Sequence, residues 1–271
     1  MPTGSMHDGS LADVIEPDDD INARVARQFD RVVGRLGQRD LTPEEARLND
    51  PLPGSPLAVD DSKTSFDPIS FQAHFYLTVA QDHLSTIREF LEEVGRIPPT
   101  SLYSITRSAI ESAAYGIWLL SGGTRAKRVK RSLLLSYDAQ WSVVDIARAT
   151  GSEFDPTLAY TELEQIKRAT KGIDNGADLS SMPTISDILR EVDRYVAIEP
   201  ASGLDAWRIC SGITHANRWV ANAISESVAV PGRATEQRME ASFAMLTTVL
   251  IAAVELRDQL RKRIREAGGH G

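Results

Sequence analysis

The sequence predicts an all-α protein, a bundle of about six to eight helices, on three observations. Apolar residues recur at i, i+3, i+4 and i+7 in segment after segment. Glycine and proline collect between those segments, at Gly37, Gly95 with Pro98-Pro99, Gly122-Gly123 and Gly151. No window alternates polar and apolar residues between turn signals, as a half-buried strand would. With 42% hydrophobic residues in a chain of 271, there is enough apolar material for one sizeable core, alone or with an appendage.

Taken in order, residues 1–20 are polar and acidic and end in Asp18-Asp19-Asp20, so disorder is expected there. The aspartates then cap a helix over about Ile21 to Leu36, whose apolar positions Val25, Phe29, Val32, Val33 and Leu36 keep helical spacing. Gly37 stops it. Thr42-Pro43-Glu44-Glu45 reads as an N-cap, an N1 proline and an acidic first turn. Residues 48–67, with Pro51, Pro53, Gly54 and Pro56, read as an extended linker. Residues 1–66 are therefore expected to be an arm of start, helix and linker, and residues 67–271 the helical domain.

In the domain, Asp67-Pro68 opens a helix to about Val94, and Thr100 caps a second to about Leu120. A third runs from Thr124 to about Thr150, a fourth from Asp155 to about Lys171, and a fifth from Thr184 to about Val196. A sixth spans 203–226, and the last is expected from near Ala234 to about Glu266. Short loops between helices imply antiparallel neighbours.

Bulk chemistry narrows the function classes. A net charge of −8 argues against a general nucleic-acid coat, though not against a local basic patch. Cys210 is the one cysteine, so neither an intrachain disulfide nor a cysteine-based zinc site can form. The start lacks the basic and apolar regions of a signal peptide. The apolar run Ala241 to Val254 is too short to span a bilayer, which needs about 20 residues. A cytoplasmic protein without a membrane segment is expected.

The stretch 203–226 carries the most chemistry. Wound at about 100° per residue, it places Arg208, Ser211, His215, Arg218, Asn222 and Glu226 in one arc about 80° wide. Ile209, Ile213, Ala216, Val220 and Ile224 take the other side, and Trp207 and Trp219 flank the stripe. A solvent face is usually wide and rich in Lys and Glu. This narrow stripe of His, Ser and Asn instead suggests a seam in a cleft.

Two further clusters stand out. Arg107 and Glu111, one turn apart, are surrounded by Ile105, Ala109, Ile110, Ala113 and Ala114. They read either as a surface pair worth a few tenths of a kcal/mol or as an embedded ion pair needing a partner. Arg208, Arg218 and His215 are candidates for that partner. Arg125, Lys127, Arg128, Lys130 and Arg131 put five cations into seven residues at a helix start, where they oppose the helix dipole. That cost points to phosphate or RNA contact, or to pairing with acidic segments. His74 and His83, nine residues apart, fall on opposite sides of a helix and cannot share a metal within it. No metal or cofactor motif occurs. Ser211 and His215 have the spacing of a Ser–His nucleophile pair, but a regular helix lacks the exposed turn such a serine uses.

His215 and Arg208, two turns apart on one side, form a minimal set for cleaving RNA without a metal. A base takes the 2′-hydroxyl proton, and a cation stabilises the charge growing on the phosphoryl oxygens. The competing reading is a hydrogen-bonded core histidine. The segment Arg208-Ile-Cys-Ser-Gly-Ile-Thr-His215 resembles the Arg, four to six residues, His signature of the HEPN superfamily of helical domains. The resemblance covers about residues 67–267 and departs from the usual polar residue after the arginine, here Ile209. It implies a metal-independent ribonuclease of the toxin–antitoxin or phage-defence type, with no cofactor. Arg208 and His215 would be catalytic, and Arg107, Glu111, Ser211, Arg218 and Asn222 supporting. It further implies RNA and an antitoxin or other protein as partners, and a homodimer that brings two Arg208/His215 pairs together. Two alternatives stand beside it: a non-catalytic interaction or scaffold protein, and a small-ligand-binding helical bundle.

Overall fold

The computed structural model describes residues 19–37, 50–94, 97–151, 157–171, 179, 181–229 and 237–270. The chain folds as an all-α bundle, with ten helices and one two-stranded hairpin among the described residues. The helices are α1 (Asp19–Leu36), α2 (Pro56–Asp61), α3 (Ile69–Val94), α4 (Ser101–Leu120) and α5 (Arg125–Thr150). They continue with α6 (Thr157–Lys171), α7 (Ile185–Val192), α8 (Gly203–Thr214) and α9 (Arg218–Ile224). The antiparallel strands β1 (Ser225–Ala229) and β2 (Gln237–Ala241) precede the last helix, α10 (Phe243–Ala267). No described helix is long and apolar enough to cross a membrane.

Helix α4 is the axis of the molecule. Leu102, Tyr103, Ala109, Ile110, Ala113, Ala114, Ile117, Trp118 and Leu119 are buried over most of its circumference. A helix with so wide an apolar face is packed by several neighbours, and α3, α10, α8, α7 and α5 all pack on α4, leaving the side with Ser104, Arg107, Ser108 and Glu111 partly open. Gly116 lets α10 approach closely, since a Cβ there would lie 2.6 Å from Leu260 Cδ2. α6 lies on α5 over a small separate cluster of Val144, Ala159 and Leu163.

The residues expected to form a detached arm belong to the main core. Val32, Leu36 and Leu57 share one cluster with the domain's interior, and the Phe29 and Phe243 rings meet at 4.3 Å. The C-terminal end of α1 is held by charge. Arg35 reaches Glu255 at 2.6 Å and Asp258 at 2.7 Å, and buried Arg257 donates to the Arg35 carbonyl and to Gln81 Oε1. The segment read as a linker is folded too. Ser55 caps α2 with Pro56 at N1, and the Leu52 amide donates to the Gly268 carbonyl at 2.9 Å. The Ser-Pro signal for that helix was in the sequence; what hid it was the density of prolines around it. The turn expected at Thr42–Glu45 and the disorder expected at the start lie outside the described residues.

The single helix expected over 203–226 is two, and Glu226 lies in a strand. α8 ends in a Schellman motif, with the Asn217 amide on the Gly212 carbonyl and the Ala216 amide on the Ile213 carbonyl, both 2.9 Å. Ala216 occupies its left-handed position at φ 53°. Asn217 then caps α9, its Oδ1 accepting from the Trp219 and Val220 amides. The last helix starts at Phe243, with Ser242 as N-cap, not near Ala234. Gln237 to Ala241 pairs with β1 although Gln, Arg, Met and Glu favour helices; cross-strand pairing outweighs that preference here.

Candidate functional site

Helix α8 is placed by its two ends. At its start the Asp193 carboxylate accepts from the Gly203 and Leu204 amides, 3.0 and 3.2 Å, and Ser202 caps Asp205. Leu204, Ala206, Cys210 and Ile213 turn inward. At its end, Thr214 Oγ1 donates to Ser104 Oγ of α4 at 3.2 Å. So α8 lies on α4, and its polar side runs beside Arg107 and Glu111.

There a compact cluster forms. Glu111 Oε1 accepts from Arg107 Nε at 2.8 Å and from Trp207 Nε1 at 2.6 Å. The guanidinium lies 5.6 Å from the centroid of the Trp207 ring, a cation–π distance. Arg107 Nη1 is 3.2 Å from His215 Nε2. Guanidinium can only donate, so a hydrogen bond between them takes His215 Nε2 as its acceptor. The Arg107 and Glu111 side chains are about one-quarter accessible, 21% and 26%, and His215 is exposed. The pair is thus neither a free surface pair nor a sealed one. Beneath it, burial pushes the Cys210 thiol well above its ordinary value despite the nearby Arg107 charge, which removes it as a thiolate nucleophile.

Of the residues expected in the stripe, the structure joins His215 with Arg107 and Glu111 and leaves the others apart. Arg208 does not serve as the cation beside His215. It is exposed and pairs with Asp205 at 3.4 Å. The reason is geometric: helical side chains lean toward the N-terminus, which carries Arg208 away from the C-capping His215. Ser211 is half-buried, and its hydroxyl has no hydrogen-bond partner among the described residues, His215 included. Arg218 stacks over the Trp219 ring at 5.3 Å, and Trp219 is 74% exposed. Asn222 is exposed on α9. The break at Ala216 redirects these last residues, so one continuous arc does not exist.

The basic cluster is mostly paired with acidic groups, with Arg128 and Arg131 largely buried and Arg125 and Lys127 about half exposed. Asp60, itself buried, binds Arg128 at 2.5 Å and Arg125 at 3.4 Å. Glu191 binds Lys127 at 3.2 Å and the buried Arg131, whose guanidinium also donates to the Trp118 carbonyl and stacks on the Trp118 ring. Lys130 alone of the five has no partner among the described residues. Of the two expectations for this cluster, the structure shows pairing with acidic segments for four of the five cations.

Sequence reasoning missed the Trp207 indole, Thr214 and Ser104 as members of the site, and Asp60 and Glu191 as the basic cluster's partners. Their contacts all span long sequence separations, where spacing along one helix carries no information. Among the described residues, no group of three or more His, Cys, Asp or Glu could hold a metal ion. Comparison with protein-family models, curated proteins and solved structures finds no match to this chain.

Proposed function

We propose that this chain is an HEPN-like, cytoplasmic protein that binds RNA and cleaves it without a metal, with His215 as the base and Arg107 as the phosphate clamp. The observation that carries this reading is the 3.2 Å approach of a guanidinium to an exposed imidazole, with Glu111 behind the guanidinium. A phosphate that takes over the Arg107 Nη1 donor frees His215 Nε2. The imidazole then accepts the 2′-hydroxyl proton, the 2′-oxygen bonds to phosphorus, and the 5′-oxygen leaves, protonated by solvent at this open site. Arg107 stabilises the charge on the phosphoryl oxygens. Trp219, exposed with Arg218 on its face, offers a stacking platform for an unpaired base. The role first expected for Arg208 passes to Arg107. A second copy of the chain and an antitoxin-like protein are the proposed partners.

The test is cleavage of end-labelled single-stranded RNA in EDTA. Wild type should cleave, His215→Ala and Arg107→Ala should each lose about 10²-fold or more, and Arg208→Ala should stay within a few-fold. Absence of cleavage by wild type, or equal cleavage by His215→Ala, removes the enzymatic reading.

A scaffold reading is favoured by a different observation. The bonds Trp207–Glu111 and Thr214–Ser104 fasten α8 to α4 whether or not anything binds. Thermal melts separate the two: a His215→Ala variant that melts well below wild type supports the scaffold, and one with unchanged or higher stability supports a residue kept for function.

A further inference from the structure

Between α3 and α5 lies a pocket of about 210 Å³, none of whose lining residues belongs to the His215 site. Its apolar wall is Phe71, Phe75, Tyr76 and Leu135. Phe71 and Phe75, one turn apart, remain 66% and 57% exposed, an unusual state for two adjacent phenylalanines. Its polar end is Asp67, Gln72 and Ser136.

That end is incompletely satisfied. Gln72 is 7% exposed, and the two N–H groups of its Nε2 are shared among Ser132 Oγ at 2.7 Å, Asp67 Oδ2 at 2.9 Å, and the Asp67 carbonyl and Ser136 Oγ, both at 3.1 Å. Its Oε1 is buried with no hydrogen-bond partner. Asp67 accepts from Gln72 and Ser136 but has no cationic partner among the described residues. No Lys or Arg lines the pocket. Burial pushes the Asp67 carboxyl up, against the two hydrogen bonds that lower it, and burial together with the Asp67 charge raises Glu162.

We infer that this pocket binds a small organic cation, an aromatic or short aliphatic group carrying an ammonium or amidinium. The N–H donors meet the Asp67 carboxylate at the polar end of the pocket, and the apolar body lies against Phe71, Phe75 and Tyr76, where the aromatic faces favour positive charge. The volume is below the roughly 300–1,000 Å³ of drug-sized sites, so the ligand is about one ring in size.

The test is calorimetric or NMR titration of the full chain with benzylamine, with benzyl alcohol and phenylacetate as its neutral and anionic counterparts. Benzylamine is expected to saturate at about 1 mM or tighter, and the other two to bind at least tenfold more weakly. Asp67→Asn and Phe75→Ser should each weaken benzylamine at least fivefold with unchanged circular dichroism. If Asp67→Asn fails to fold, Phe75→Ser, altering an exposed side chain, decides alone. No saturable benzylamine binding, equal binding of the alcohol or the acid, or undiminished affinity in Phe75→Ser overturns the proposal. So does a wild-type dimer, seen by light scattering, that Phe75→Ser splits while benzylamine fails to bind: that result assigns the face to a second copy.

Discussion

Buried Arg131 joins three helices through one carboxylate. Its guanidinium holds Glu191 of α7 and the Trp118 carbonyl of α4, while Trp118 Nε1 donates to Glu191 Oε2 at 3.0 Å. Burial alone would raise the Glu191 carboxyl, but the Arg131 hydrogen bond and the Arg131 and Lys127 charges hold it below its ordinary value of 4.5. A carboxyl depressed by folding contributes stability above its unfolded value, and that contribution is lost as pH falls through the folded value. Urea midpoints should therefore drop as pH is lowered from about 5 toward 3, and Glu191→Gln should reduce that slope. At pH 7 the same variant leaves a buried guanidinium short of its counter-charge. Because Glu191 is partly accessible, the cost should fall below the 3–5 kcal/mol of a sealed pair, at about 2 kcal/mol. A loss under 0.5 kcal/mol would show the node to be dispensable.

At the level of elements, the junction between α8 and α9 stands out because it places His215. Two Schellman motifs end helices among the described residues. The one after α10 has Gly269 at its left-handed position, φ 86°, whereas the one after α8 has Ala216 at φ 53°. Holding an L-residue there costs about 1–2 kcal/mol, partly offset by the greater unfolded freedom of glycine. Ala216→Gly should raise stability by about 0.5–1 kcal/mol, read as a higher melting temperature, while leaving α9 seated. An unchanged or lower melting temperature would mean that the junction relaxes in solution. The contact of α4 with α10 gives the opposite sign. Gly116→Ala would push its Cβ to 2.6 Å from Leu260 Cδ2 in a closed core, so a loss of about 1–3 kcal/mol is expected in denaturant titration.

For the molecule as a whole, the question is where the folding unit begins. Leu36 is 0% exposed and lies in the same cluster as the α3, α4 and α10 interior. Leu36→Ala should then cost about 2–5 kcal/mol and lower a single cooperative transition. A detached arm would show almost no change in that transition. Asp60 makes the same point electrostatically: a buried carboxylate from the presumed linker is the counter-ion of Arg125 and Arg128 at the start of α5.

Helical periodicity by itself determined the all-α class and the extents of α1, α3, α4, α5 and α6 to within a few residues, because spacing along one helix is a local property that tertiary packing did not overturn. It also singled out Arg107, Glu111 and His215 as residues whose surroundings were odd for a free surface. Only the tertiary structure decided which guanidinium stands beside the imidazole, where the basic cluster spends its charge, and that α1 and α2 are part of the core. Each of those depends on groups far apart in the chain, and one depends on a left-handed alanine that breaks the phase of a helical wheel. Periodicity assumes an unbroken rod and knows nothing of neighbouring rods; the site arises where one rod ends against another.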